Sequence, residues 1–184
     1  MSSQHSYQTL IRLFNSTFYA NYNTRLVKGE DEPVYLPADA NCDHHRIIFA
    51  HGFFASALHE TAHWLVAGAK RRELEDFGYW YCPDGRNVQQ QAEFESVEVK
   101  PQAIEWMLSV AANFPFQVSV DNLSGAGSDR FAFQARVQQQ VFRYLENGIP
   151  ARTQRFIDAL RMEYQTPELN KTMFAWRPSE IECV

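Results

Sequence analysis

Between Phe54 and Ala67 an apolar run made of Ala55, Ala57, Leu58, Ala62, Trp64, Leu65 and Val66 surrounds His59, Glu60 and His63. A helix that is apolar around much of its circumference belongs inside a fold, and polar groups carried in with it must find partners. On an α-helix, residues four apart return to nearly the same face and rise about 6 Å. His59 and His63 therefore point the same way, and two imidazoles so placed can converge on one ion. The pattern is H-E-x-x-H, and it predicts a metal-binding helix at the centre of the fold.

Periodicity supplies the surroundings. Tyr7 to Tyr22 places Leu10, Ile11, Phe14, Phe18 and Tyr19 at three- and four-residue spacings and predicts an amphipathic helix. Leu26 to His45 is rich in Asp, Glu and Pro and reads as loop, with a short strand at Val34 to Leu36. Arg46 to Ala50 reads as a buried strand closed by Gly52. Gly68 stands where a helix C-cap needs a positive φ, and the basic run Lys70 to Arg72 suits the negative end of the helix dipole. Phe77 to Arg86 packs aromatic residues against a Pro-Asp-Gly turn, and Phe94 to Val99 alternates like a half-buried strand. Helices are expected at Gln102 to Asn113, Arg130 to Glu146 and Ala151 to Tyr164, a further strand at Phe116 to Val120, and a Gly/Ser-rich loop at Asn122 to Asp129. The expected architecture is one α+β domain over residues 1–184, a small sheet packed by helices with the H-E-x-x-H helix in its core.

Composition narrows the class. With 184 residues and 45% apolar content the chain can bury one good core but not two comfortable ones. Its 14 Phe, 8 Tyr and 4 Trp exclude disorder except at the ends. A net charge of −5, with no basic cluster longer than Lys70 to Arg72, argues against nucleic-acid binding. Cys42, Cys82 and Cys183 are odd in number and widely spaced, the pattern of reduced thiols in a cytosolic protein. Met1 to Tyr7 has the features of no signal peptide, and no stretch approaches the roughly 20 apolar residues that span a bilayer.

A third metal ligand must come from outside the motif. Glu73 would lie about 15 Å from His63 along an unbroken helix, so it can ligate only if the chain turns near Gly68. Glu73 is preferred, Asp76 is second and Glu75 third; each can equally be a solvated carboxylate paired with Arg71 or Arg72. His51 stands near enough to orient a ligand but equally fits a structural role. Cys42-Asp43-His44-His45 lacks a paired ligand set at standard spacing. Two chemistries fit the motif. With zinc, Glu60 is the base of a hydrolase and takes a proton from water on the ion. With ferrous iron, two histidines and a carboxylate leave positions open for dioxygen and allow C–H hydroxylation.

Asn23-Thr24-Arg25-Leu26, Glu32-Pro33-Val34-Tyr35-Leu36-Pro37-Ala38-Asp39, Phe49-Ala50-His51-Gly52-Phe53, His59-Glu60 with His63-Trp64, and Asp76-Phe77-Gly78-Tyr79-Trp80-Tyr81-Cys82-Pro83-Asp84-Gly85-Arg86 are idiosyncratic strings. With Val97-Glu98-Val99-Lys100-Pro101-Gln102-Ala103 and Asn147-Gly148-Ile149-Pro150, they make the chain resemble the elongation factor P hydroxylase family along nearly its full length. The resemblance implies a cytosolic bacterial enzyme that hydroxylates the modified lysine of elongation factor P after a β-lysine unit has been attached. It implies a site similar to a 2-His-1-carboxylate centre, with Fe(II) as metal and dioxygen as co-substrate, and a fold like a metal-dependent ribonuclease of the ribosome-maturation class. His59 and His63 match the family's motif directly, and Glu73 is carried over by position. A zinc metallopeptidase is the alternative. The long cationic β-lysyl-lysine arm calls for acidic groups and aromatic faces, for which Asp76, Tyr79, Tyr81 and Asp84, with Trp80, are candidates. The acidic stretch Glu30 to Glu32 also suits steering of the arm, although solvated loop charge describes it as well.

Overall fold

The first helix, α1, starts where the Ser6 hydroxyl accepts the Gln8 amide and stops where Asn23 turns left-handed at φ 47°. In this computed structural model, which describes residues 5–76, 85–119 and 129–176, α1 covers Tyr7–Tyr22, the span expected from its periodicity, and buries Leu10, Leu13, Phe14 and Phe18. Strands β1 (Thr24–Lys28), β2 (Val34–Leu36) and β3 (His45–Phe49) form one sheet in the order β1-β3-β2. Central β3 runs parallel to β1, with Leu26 beside Ile47, and antiparallel to β2, with Tyr35 beside Ile47. The segment from Leu26 was expected to be loop. Thr24 and Leu26 point inward while Arg25 and Lys28 disguise the strand, and pairing with β3 supplies its hydrogen bonds.

Helix α2 (Phe54–Val66) lies across the sheet and buries Ala57, Leu58, Ala62, Trp64 and Leu65. Phe14 and Phe18 meet the Trp64 ring at 5.1 and 5.0 Å between centroids, and burying each such ring is worth about 1.5–3 kcal/mol. The C-terminus of α2 is not closed by a left-handed Gly68. Arg72 donates to Ala67 O at 2.6 Å, and Arg152 donates to the Ala67, Leu65 and Trp64 carbonyls, so two guanidinium groups satisfy the last turn. After the 3₁₀ turn Arg71–Glu73 comes α3 (Val88–Ala111), then α4 (Arg130–Asn147), α5 (Ala151–Tyr164) and a 3₁₀ turn at Lys171–Met173.

Two expected strands do not form among the described residues. Phe94 to Val99 belongs to α3, a 24-residue helix started by a capping box between Asn87 and Gln90. Its first half turns Gln91 and Glu98 inward, and Gln102 follows one turn later, so the buried face there is polar and hydrophobic periodicity cannot reveal it. Pro101 sits inside α3 at a cost of roughly 3 kcal/mol for an isolated helix, so packing against α2, α4 and α5 holds it together. Phe116 to Ser119 forms no ladder. Phe116 stacks on Trp106 at 5.4 Å, and the Gln102 side chain takes both the N–H and the carbonyl of Ser119. Among the described residues this is an α+β fold with a three-stranded sheet and five α-helices around one core, and no helix is long and apolar enough to cross a membrane.

Candidate metal centre

Where α2 and α3 pack together, α2 contributes His59 and His63 and α3 contributes Glu98 and Glu105. His59 and His63 face one another with 3.0 Å between their Nε2 atoms and 4.6 Å between ring centroids. Glu98 Oε1 stands 3.2 Å from His63 Nε2. One ligand atom from each of His59, His63 and Glu98 lies within 4.8 Å of the other two. Metal–nitrogen bonds of about 2.0–2.1 Å let two ligands of one ion stand this close, so the donor set fits a transition metal.

Two of these ligand residues, His59 and Glu98, are also held at their other end. His59 Nδ1 is 2.7 Å from Glu105 Oε2, which leaves Nε2 toward His63. Gln102 donates to Glu98 Oε2 at 3.0 Å while its own amide is pinned on Ser119 at 2.7 and 2.9 Å. Glu98, Gln102 and Glu105 recur at helical spacing along α3, so one helix face addresses both ligating residue types.

The electrostatics favour a cation. Burial works against a charge on His59, but Glu105, hydrogen-bonded to it, with Glu98 and Glu60 nearby, outweighs this and pushes its pKa up to about 10. Burial likewise opposes ionised Glu98, yet the hydrogen bond and charge of His63, helped by His59 and Gln102, pull it down to about 2. Burial raises the Glu60 carboxyl above its ordinary value, against the pull of His59 and His63. Glu60, Glu98 and Glu105 thus surround the two imidazoles, a set of carboxylates whose charge a divalent ion could answer.

A cavity of about 850 Å³ opens beside the cluster. Its walls are Glu60, His63 and Trp64 from α2, Tyr35 and Ile47 from the sheet, Arg71, Arg72 and Asp76 from the connecting turn, and Gln90, Glu93, Phe94, Val97, Lys100 and Pro101 from α3. It has the size and the mixture of apolar walls and few polar groups of a site for a small substrate or side chain.

The residues expected from sequence divide accordingly. His59, Glu60 and His63 come together, and Asp76 lines the cavity while paired with Arg71 at 2.8 Å. Glu73 is not brought to the histidines: the chain does turn after α2, but into a 3₁₀ turn that leaves Glu73 and Glu75 exposed. Glu98 stands beside the histidines instead, and the sequence did not single it out, because it is one of four glutamates on α3 with Glu93, Glu95 and Glu105. Tyr79, Trp80, Tyr81 and Asp84 lie outside the described residues. His51 is exposed on the turn after β3 with its ring against Phe53, and Glu30 pairs with Lys28 at 2.7 Å. Cys42, Asp43 and His44 also cluster, on a surface loop where Asp43 is 92% exposed.

The chain matches the family model described as elongation factor P hydroxylase over residues 13–174. It is 52% identical over 182 residues to the elongation factor P lysine hydroxylase of Haemophilus influenzae, a match covering 98% of this chain and 99% of that protein.

Proposed function

The chain belongs to the elongation factor P hydroxylase family, and on that footing we propose that it is an oxidoreductase that hydroxylates a lysine of elongation factor P at a metal centre formed by His59, His63 and Glu98. The observation that carries the site is the convergence of these three side chains beside a cavity that His63 and Glu60 line. The metal is Fe(II), held by His59 Nε2, His63 Nε2 and Glu98 Oε1, and dioxygen is the co-substrate. Bound there, the ion would supply the dioxygen chemistry that inserts one oxygen atom into a C–H bond, the second atom leaving as water with two protons and two electrons from an external reductant.

The protein's own groups bind, orient and handle protons. The substrate is the lysine already extended by a β-lysine unit, a long arm with apolar methylenes and cationic amines. Phe94, Trp64 and Tyr35 offer faces for the methylenes, and Asp76 and Glu93 offer carboxylates for the amines. Tyr79, Tyr81 and Asp84, which lie outside the described residues, are further candidates for the arm on residue type alone. Glu60 faces the same cavity from the turn between the two histidines, where it holds or relays a proton. Tyr35 Oη donates to Arg72 O at 2.7 Å and ties the wall that carries Arg71 and Asp76 to the sheet. The enzyme acts in the cytoplasm, where translation factors work.

The test is mass spectrometry of β-lysylated elongation factor P incubated with the protein, ferrous iron, an added two-electron reductant and isotopically labelled dioxygen. Label in the modified lysine is the expected result. New peptide termini, or oxygen drawn only from water, would replace this reading with a zinc hydrolase.

A further inference from the structure

Glu105 is a carboxylate at the cluster that touches a proposed ligand without being placed to ligate. Its Oε2 lies 2.7 Å from Nδ1 of His59, the nitrogen turned away from His63 and Glu98. It does not belong to the group of ligand atoms formed by His59, His63 and Glu98, and it is absent from the cavity wall. Its side chain is only 13% exposed, so the contact is largely shielded from water.

Imidazole has two nitrogens, and the one that carries the proton decides which is free for a metal. An anionic acceptor at Nδ1 stabilises the Nδ1–H tautomer, holds the ring plane and makes Nε2 a stronger donor. Glu98 and Glu105 lie two turns apart on the same face of α3. The helix that supplies the carboxylate ligand thereby also sets the histidine opposite it. We propose that Glu105 is a positioning residue that fixes His59 as the Nδ1–H tautomer, so that its Nε2 is presented to the metal; this rests on the metal-centre reading above.

Cobalt(II) is the probe, added to the metal-free full-length protein, with parent, Glu105→Ala and Glu105→Gln compared. The first readout is the dissociation constant, expected to weaken about 10–100-fold in Glu105→Ala. Glu105→Gln should recover part of that loss, because an amide oxygen still accepts from Nδ1–H. The second readout is the exchangeable ring N–H resonance of His59, shifted by cobalt and assigned from its through-space contacts to the carbon-bound protons of the His59 ring. It should persist in the parent and in Glu105→Gln and vanish through fast solvent exchange in Glu105→Ala. A merely structural Glu105 would alter thermal unfolding and leave that proton in place. Parent affinity and an unchanged resonance in Glu105→Ala would overturn the inference alone. So would Glu105→Gln behaving no better than Glu105→Ala in both readouts. A parent protein that retains no cobalt would instead sink the metal-centre reading, and this inference with it.

Discussion

His63 and Glu98 face one another across the α2–α3 packing interface, Nε2 to Oε1 at 3.2 Å, with the Glu98 side chain 2% exposed. A carboxylate so far withdrawn from water is costly unless a charge or several donors answer it. His63 and Gln102 do so, and on the proposed reading a metal held there would add its charge. Glu98→Ala should therefore lose metal as completely as a histidine variant, while Glu73→Ala, altering an exposed side chain, should keep metal content and turnover within about twofold of the parent. Elemental analysis of purified variants decides between them, and the reverse pattern would restore Glu73 as the ligand.

His59→Ala and His63→Ala should each abolish metal retention and hydroxylation in a protein that is still folded. Leu58, Trp64 and Leu65 keep α2 in the core, and the α2 C-terminus remains tied to Arg72 and Arg152. Circular dichroism together with metal content is the check. Full activity in either variant would remove the site.

The metal-free protein should show a stability profile shaped by the cluster. His59 has its folded pKa raised from 6.5 to about 10, so it contributes stability fully present below pH 6.5 and lost as pH rises through about 10. Glu98 is lowered from 4.5 to about 2, so its contribution is present above pH 4.5 and lost as pH falls through about 2. Urea midpoints of chelator-treated protein should accordingly fall on both sides. The alkaline fall should flatten in His59→Ala and the acid fall in Glu98→Gln. An unchanged alkaline limb in His59→Ala would show that Glu105 does not hold a proton on that ring.

What the sequence made legible follows from which forces act locally. Helices α1, α2, α4 and α5 carry apolar stripes on polar surroundings, and the periodicity locates them to within a residue or so of their ends. Strand β1 depends on a partner twenty residues along the chain, Thr24 beside His45, and no local pattern announces that. Helix α3 inverts the usual rule by burying Gln91, Glu98 and Gln102, of which Gln91 bonds Arg86 and Glu95 while Glu98 and Gln102 stand at the candidate centre, so polar residues at the site also hide its helix. The same holds for the ligand set. His59 and His63 share one turn of one helix and were readable as a pair, whereas Glu98 reaches them only through the packing of α3 on α2. Glu73 was attractive because it is near in sequence, and nearness in sequence does not place a side chain once the helix has ended.

Glu60 separates the two chemistries that the histidine pair allows. It lines the cavity beside His63 and does not belong to the ligand group, so Glu60→Gln should leave metal content unchanged. A zinc hydrolase needs this carboxylate as the base that activates water, and losing a positioned base removes roughly 10²–10⁴-fold of the rate. A hydroxylase draws its oxygen atom from dioxygen, so the carboxylate has only a proton to hold and a cavity wall to shape. Its amide keeps the shape and gives up the proton. Hydroxylation by Glu60→Gln should therefore fall by less than it does in His59→Ala or His63→Ala, with labelled oxygen from dioxygen still appearing in the product lysine. Turnover and isotope content measured on the same samples decide the matter. Loss of activity equal to that of the histidine variants, with full metal content retained, would make Glu60 indispensable to the chemical step and reopen the hydrolytic reading.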